Sequence, residues 1–170
     1  MNDAHLHMVV NHFPIIGTIF GLGILIAGLI LKNNSIKNVA YVLFVVAAIF
    51  GFLSMNTGEG AEEMVEDFPN IGKKIIHEHE ELAEKLAIVL YLLGAISLLG
   101  LFLNLKNHAK AKFVSFAALI IAVVAVVLGT QVGTSGGEIR HTEIRANAVQ
   151  SAGGEQNTGE QTQGKQEDED

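Results

Sequence analysis

The sequence predicts an all-α membrane protein: a four-transmembrane-helix bundle followed by a disordered C-terminal tail. Hydrophobic residues make up 49% of the chain and its mean hydropathy is +0.38, which is high for a soluble domain. These apolar residues are concentrated in four long blocks that are nearly free of charge. A helix that spans a bilayer needs about 20 such residues, and each block has that length. We therefore expect a transmembrane domain over 1–145 and an acidic, Gln- and Gly-rich disordered tail over 146–170.

The four apolar blocks lie at about residues 12–31, 36–55, 84–104 and 113–132. They should be helical because the bilayer core offers no water to backbone amides and carbonyls, which must then bond within the segment. Helices of a soluble bundle would each show a polar stripe, and runs such as FGLGILIAGLIL and ALIIAVVAVVLG show none. The first block also lacks the positive residues and the cleavage site of a signal peptide.

The first block begins with the stretch HLHMVVNHFPIIG, which brings histidines and a proline to the edge of the apolar run. Proline has no amide hydrogen and is tolerated in the first turn of a helix, where that hydrogen would lack a partner. Asn11 is a good N-cap, so we expect the helix to begin there with Pro14 just inside it. The alternative is one helix from Ala4 that kinks at Pro14. Both interpretations place His12 at the outer end of the first span.

Charge in the links between the blocks predicts the orientation of the chain. The first and third links carry lysines, namely Lys32, Lys37, Lys106, Lys110 and Lys112. The second link, at about 56–83, is dominated by glutamate and aspartate. Because cytoplasmic loops are enriched in lysine and arginine, links one and three should face the cytoplasm. Both termini and the acidic link then lie outside.

The ends of the second and fourth blocks resemble each other. The second leaves the membrane through MNTGEGAEE and the fourth through GTSGGEIRH, each with a Thr/Ser–Gly–Glu cluster in which Glu59 or Glu138 could orient an imidazole. Blocks one and three are both preceded by histidines. This echo indicates two duplicated helical hairpins related by an axis along the membrane normal. Six of the seven histidines then gather at the outer end: His5, His7, His12, His77, His79 and His141.

Clustered imidazoles at a membrane surface favour a bound haem b. Imidazole is a common metal ligand, and ionisable groups near the bilayer usually mark function. The chain has no cysteine, which excludes a covalently attached haem, an iron–sulfur cluster and a disulfide. His12 and His79 begin spans one and three at similar depth, so we expect them to be the axial pair. His141 and His77 are the alternative ligands, and Arg140 is a candidate partner for a haem propionate.

The same histidines allow two other functions. The pairs His5-x-His7 and His77-x-His79 could bind Cu or Zn in a metal-binding or transport accessory protein. HEHEE lacks the i, i+4 histidine pair of zinc hydrolases, so a metalloprotease is excluded. The third possibility is a membrane assembly or interaction protein with no cofactor. We expect no independent catalytic activity because no nucleophile or nucleotide motif is present, and no nucleic-acid partner because the chain, with a net charge of −7, has no basic face.

Three stretches together resemble a bacterial family of small four-helix membrane proteins of unknown function with an N-terminal His-Phe-Pro signature. They are VVNHFPIIG before the first span, HEHEELA before the third and TSGGEIRH after the fourth. The resemblance covers about residues 5–143 and implies a multi-pass protein of the bacterial inner membrane. Its histidines favour a cytochrome b-like function, with His12 carrying over most directly. Because one haem near one face cannot carry electrons across the bilayer, we expect such a protein to serve a larger respiratory or redox complex.

Overall fold

The computed structural model describes residues 2–66 and 71–145, and within these ranges the chain forms helices and no strands. The helices are α1 (Asp3–Val10), α2 (His12–Ile30), α3 (Asn34–Glu63), α4 (Lys73–Leu105), α5 (Ala111–Arg140) and a final 3-10 turn (Thr142–Ile144). The predicted all-α membrane fold is confirmed. The predicted disordered tail, 146–170, lies outside the described residues.

Four helical units are long and apolar enough to cross a membrane when α1 and α2 are taken together. They contain 28, 30, 33 and 30 residues. At about 1.5 Å per residue they reach roughly 42–50 Å, which exceeds the roughly 30 Å of hydrocarbon in a bilayer. The apolar segments predicted from the sequence lie inside these longer helices, and we take those segments as the membrane-spanning parts. Six of the seven histidines lie at the helix ends on one side of the bundle, which we call the outer end, and these ends project beyond the predicted spans.

α2 begins at His12 with Asn11 at the N-cap position, as predicted, but the Asn11 side chain does not cap it. Asn11 has helical backbone angles (φ −68°, ψ −20°) and its side chain makes no capping hydrogen bond. Its amide donates to the carbonyl of His7 at 2.9 Å, which continues the helix through this position. Asn2 is the cap instead, because its Oδ1 accepts from the amide of His5. The structure thus combines parts of both interpretations: the helical path is nearly continuous from Asp3, as in the alternative, but the break between the helices falls at Asn11 rather than at Pro14.

The four long helices pack as a ring in chain order. Each of α2 to α5 contacts the next, α5 returns to α2, and α1 lies against α3. Large side chains such as Leu25, Phe44 and Leu90 fill the centre, while many other large apolar residues face outward, as lipid contact requires. Glycine lets the helices approach closely: a Cβ added to Gly21 would lie 2.5 Å from a ring carbon of Phe44.

The buried positions of the two hairpins match at constant shifts. A shift of 72 positions (14 to 86) relates buried Pro14, Thr18, Gly21, Leu25 and Gly28 of α2 to buried Leu86, Leu90, Leu93, Ser97 and Gly100 of α4. A shift of 78 positions (37 to 115) relates buried Lys37, Ala40, Phe44, Ala47 and Gly51 of α3 to buried Ser115, Ala118, Ala122, Ala125 and Gly129 of α5. This match agrees with the duplicated hairpins expected from the sequence.

Candidate functional site

His7, on α1, is half-buried against the outer end of α3. Its Nδ1 lies 3.1 Å from the carbonyl oxygen of Ser54 and 3.1 Å from Oγ1 of Thr57. A carbonyl can only accept, so the hydrogen-bond partners assign the proton to Nδ1. Nε2 then carries the lone pair, and no described residue forms a hydrogen bond with it.

His79 is held in the same way by α5. Its Nδ1 lies 2.9 Å from Oγ of Ser135. The hydroxyl of Ser135 already donates to the carbonyl of Val132 at 3.1 Å, so Ser135 accepts from the Nδ1–H of His79. The lone pair of His79 is again on Nε2, which has no hydrogen-bond partner in the described ranges.

The surroundings of the two rings correspond position by position. His79 lies 72 positions after His7, which is the shift that relates α2 to α4. Their hydroxyl partners, Thr57 and Ser135, differ by 78 positions, which is the shift that relates α3 to α5. Each hydroxyl residue is followed by a glycine under the ring. A Cβ added to Gly58 would lie 3.7 Å from Cε1 of His7, and one added to Gly136 would lie 3.0 Å from Cε1 of His79. The match of buried positions alone does not fix the alignment of the two hairpins, because a seven-residue burial period is common in packed helices. The repeated contact of histidine with a hydroxyl and a glycine supports the shifts of 72 and 78.

Burial favours the neutral form of both imidazoles. His7 and His79 lie outside the membrane-spanning segments, at the outer helix ends. Burial is the largest cause that lowers the pKa of each below its ordinary value. The hydrogen bond to the Ser54 carbonyl partly opposes this for His7, while the charges of His12 on His7 and of His7 on His79 lower the pKa values further. A neutral ring anchored through Nδ1 is the form that presents Nε2 to a metal.

His12 lies on the outer surface at the start of α2. It is exposed, and its Nδ1 lies 3.1 Å from the carbonyl of Met8 in the preceding turn. Within the described ranges, no residue of α3, α4 or α5 forms a hydrogen bond with this ring. The hydrogen bonds from a neighbouring long helix are made to His7 rather than to His12. Iron binding by His12 stays a prediction.

The remaining sequence candidates are exposed at the same end of the bundle: His5, His77, Arg140 and His141. His77 lies between Glu80 and Glu81, 3.8 and 3.4 Å from their carboxylates. Nδ1 of His141 lies 2.8 Å from a carboxylate oxygen of Glu143. The pKa of Glu143 is lowered first by a hydrogen bond from its own backbone and then by His141. These rings are engaged by neighbouring carboxylates rather than by another helix.

Glu59 and Glu138 do not orient the buried imidazoles, which corrects the sequence-based expectation. The ring partners are hydroxyls and one carbonyl, because α3 and α5 remain helical through both Gly clusters and turn Thr57 and Ser135 toward the rings. Sequence reasoning missed these two residues as partners. The Thr/Ser–Gly step shared by MNTGEGAEE and GTSGGEIRH was the signal that could have identified them.

The number of possible ligands that lie together differs between a bare ion and a porphyrin iron. Residues 2–66 and 71–145 contain no group of three or more His, Cys, Asp or Glu side chains that could hold a metal ion. A Zn site needs three or four protein ligands. A haem iron takes four nitrogens from the porphyrin and needs only two axial ligands from the protein. Two anchored neutral imidazoles on equivalent helices supply that number.

Comparison with known proteins agrees with the fold. The family described as "Predicted membrane protein (DUF2231)", whose function is unknown, matches residues 4–143. The matched range includes nearly all of α1 and the whole of α2 to α5. No curated protein and no solved structure matches the chain.

Proposed function

This chain belongs to the DUF2231 family of predicted membrane proteins, and we propose that it is a membrane haem b-binding protein that transfers electrons. In this proposal His7 and His79 are the axial ligands. The observation that carries it is the matched pair of half-buried, neutral imidazoles, each anchored through Nδ1 by another helix. In both rings Nε2 is left to bind iron.

The duplication favours one group shared between the two hairpins. Each hairpin contributes one imidazole from an equivalent position at the same end of the bundle. An iron on the axis between the hairpins would meet the same ligand from either side. Two axial imidazoles leave no open coordination position, which suits electron transfer rather than the binding of a small gas.

The residues around the two rings have defined roles in this proposal. The carbonyl of Ser54 and the hydroxyls of Thr57 and Ser135 hold the imidazoles in one orientation and one tautomer. Partners of this kind also raise the basicity of the ligating nitrogen. Gly58 and Gly136 allow each ring to lie against the backbone of the neighbouring helix.

Two outer residues complete the proposed site. Arg140 lies at the end of α5, where a guanidinium can pair with a propionate carboxylate. His12 is the alternative axial ligand, because it lies on the same side of the bundle and its charge reaches His7. The proposal moves one ligand from His12 to His7 because His7 is held by α3, whereas His12 bonds only to the preceding turn of the chain.

We extend the proposal to the location of the protein. The lysine-bearing links at the end away from the histidines would face the cytoplasm of a bacterial cell, and the haem would lie near the outer face of the inner membrane. A haem at one face does not span the bilayer. Electrons would therefore pass to or from a larger redox complex at that face.

A reduced-minus-oxidised visible spectrum of the purified protein in detergent, after expression with ample haem, tests the proposal. We expect a b-type α band in the parent chain and in the matched control His12→Ala. The band should be lost in His7→Ala and in His79→Ala, because each removes one axial ligand.

Two results would contradict this assignment. Loss of the band in His12→Ala with retention in His7→Ala would return the second ligand to His12. A parent chain that binds no haem would overturn the function, and elemental analysis for copper and zinc would follow.

A further inference from the structure

The first turns of α3 place a lysine inside the bundle, at the inner end that lies opposite the outer end. Lys37 is only 9% exposed, although it stands at the start of the second predicted span. Its side chain packs against α2, because a Cβ added to Gly28 would lie 2.7 Å from Cγ of Lys37. Lysine is rarely buried without a partner, and an ionisable group within a membrane segment usually marks function.

The ammonium group of Lys37 has no counter-charge in the part of the chain that the structure describes. No residue of 2–66 or 71–145 forms an ion pair or a hydrogen bond with it. Every Asp and Glu side chain in these ranges lies toward the outer end of the bundle, whereas the inner end carries lysines. These lysines are Lys32, Lys37, Lys106, Lys110 and Lys112. A charge that is removed from water needs an opposite charge or hydrogen bonds, and an anion from outside the chain would supply both.

The duplication shows that the fold does not need a cation at this position. The equivalent of Lys37 in the second hairpin is Ser115, which is also buried. The hydroxyl of Ser115 accepts from Tyr41 at 2.8 Å and donates to the carbonyl of Ala111 at 2.9 Å. The second hairpin thus fills the same position with a neutral side chain whose hydrogen bonds are made within the bundle. The charge of Lys37 therefore serves a purpose beyond packing.

The turn that follows α2 shows the same difference between the hairpins. Lys32 has a left-handed backbone conformation (φ 51°), and the residue in the corresponding place after α4 is Asn107 (φ 50°). Both turns close with a backbone hydrogen bond across five positions, from 33 to 28 and from 108 to 103. Asparagine adopts this conformation more readily than lysine. The first hairpin thus keeps a second cation in the turn between the two helices that bury Lys37, at a conformational cost.

We propose that the phosphate of an anionic phospholipid binds at the inner end of α2 and α3, where Lys37 and Lys32 donate to it. Ammonium–phosphate hydrogen bonds are charge-assisted and strong, and basic sites between transmembrane helices suit such headgroups. A lipid is favoured over a soluble anion because Lys37 lies at the start of a span. The acyl chains can lie on the neighbouring end of α2, where Ile30 and Leu31 are 74% and 65% exposed. This inference does not rest on the proposed haem function, since the two sites lie at opposite ends of the bundle.

Native mass spectrometry of the full chain in detergent measures this binding, with phosphatidylglycerol and phosphatidylcholine added in separate titrations. We expect each chain to retain phosphatidylglycerol in preference to phosphatidylcholine. Lys37→Gln should weaken phosphatidylglycerol binding about tenfold, as expected for the loss of one charge-assisted hydrogen bond. Lys32→Gln should weaken it in the same direction. Lys112→Gln is the matched control, because it removes the same charge from an exposed side chain at the same end, and it should leave binding nearly unchanged.

Unfolding by SDS shows whether the loss of binding reflects the site rather than a misfolded variant. A ligand that binds only the folded chain stabilises it, so phosphatidylglycerol should raise the unfolding midpoint of the parent chain and of Lys112→Gln, but not of Lys37→Gln. Without added lipid, Lys37→Gln should be at least as stable as the parent, since it removes a buried charge that has no partner. A clear loss of stability in lipid-free detergent would show that the ammonium is already compensated within the chain, and would overturn the inference.

Three binding results would also overturn the site. Equal weakening by Lys37→Gln and Lys112→Gln would indicate a diffuse attraction between the lysines of the inner end and anionic lipid. Equal retention of phosphatidylcholine would show that no anion is required. Displacement of phosphatidylglycerol by an equal concentration of glycerol phosphate would assign the lysines to a soluble phosphate instead of a lipid. None of these results bears on the haem proposal, which the visible spectrum tests separately.

Discussion

The two hairpins share one packing pattern but differ at their outer ends. In the first hairpin α1 lies against the end of α3, where a Cβ on Gly60 would lie 2.7 Å from a carboxylate oxygen of Asp3. In the second hairpin the equivalent of Gly60 is Glu138, and this face of α5 is open. The same scaffold is thus closed on one side by the N-terminal helix and left open on the other. The shared part holds the imidazoles, and the divergent part is where a specific partner is to be sought.

The two hairpins also differ in which helix carries the larger side chain at one pair of equivalent positions. Gly21 and Phe44 of the first hairpin correspond to Leu93 and Ala122 of the second. Gly21 is required where it stands because the ring of Phe44 fills the space that a side chain would need. In the second hairpin the large residue is on the other helix. The first hairpin therefore packs glycine of α2 against phenylalanine of α3, and the equivalent positions of the second carry the large residue on α4 and the small one on α5.

The largest expected effect on stability comes from placing a large side chain at the small position of the first hairpin. Gly21→Leu should lower the free energy of unfolding in detergent by about 3 kcal/mol, because an added side chain meets Phe44 at 2.5 Å. Adding Phe44→Ala should recover part of that loss by converting the first hairpin to the arrangement of the second. SDS titration followed by circular dichroism measures the double-mutant cycle. Gly23→Leu is the control, since a Cβ there has no neighbour within 4 Å. Additive effects of the two substitutions would show that the positions are not exchanged.

A smaller effect separates the two glycines beneath the imidazoles. Alanine in place of a helical glycine stabilises by up to about 1 kcal/mol, and Gly58→Ala should gain this because its Cβ would lie 3.7 Å from His7. Gly136→Ala should gain less or be destabilised, since its Cβ would lie 3.0 Å from His79. The same unfolding assay measures both variants. Equal changes would mean that the two rings have equal room, contrary to the structure.

The smallest expected effect is a loss of stability in mild acid. The folded chain holds the pKa values of His7 and His79 below their ordinary value of 6.5, so the unfolded chain binds these protons more readily. Stability should be complete above about pH 6.5 and fall as the pH decreases toward the lowered folded-state values. The haem-free protein is unfolded at a series of pH values from 8 to 5, beside His79→Gln. The variant should lose part of the slope, and a profile identical to that of the parent chain would contradict burial of this ring.

Local composition was sufficient to predict the fold class. Apolar segments of about 20 residues must form helices in a bilayer, because their backbone groups have no other partner there. The gathering of histidines at one end followed directly from counting the spans. The Thr/Ser–Gly echo also indicated the duplication before any contact was known. The helices are nevertheless longer than the apolar segments, because hydropathy does not register the polar turns that continue a helix beyond the membrane.

Only the tertiary structure decided which histidines are supported. The sequence favoured His12, which follows the cap predicted at Asn11, over His7, which lies near the terminus and was expected at the surface. The structure continues the helix through Asn11 and brings His7 against α3, where its partners lie 47 and 50 positions away along the chain. His79 meets Ser135 across 56 positions. Contacts of this kind depend on which helix faces lie together, and neither propensity nor spacing within one segment encodes that choice.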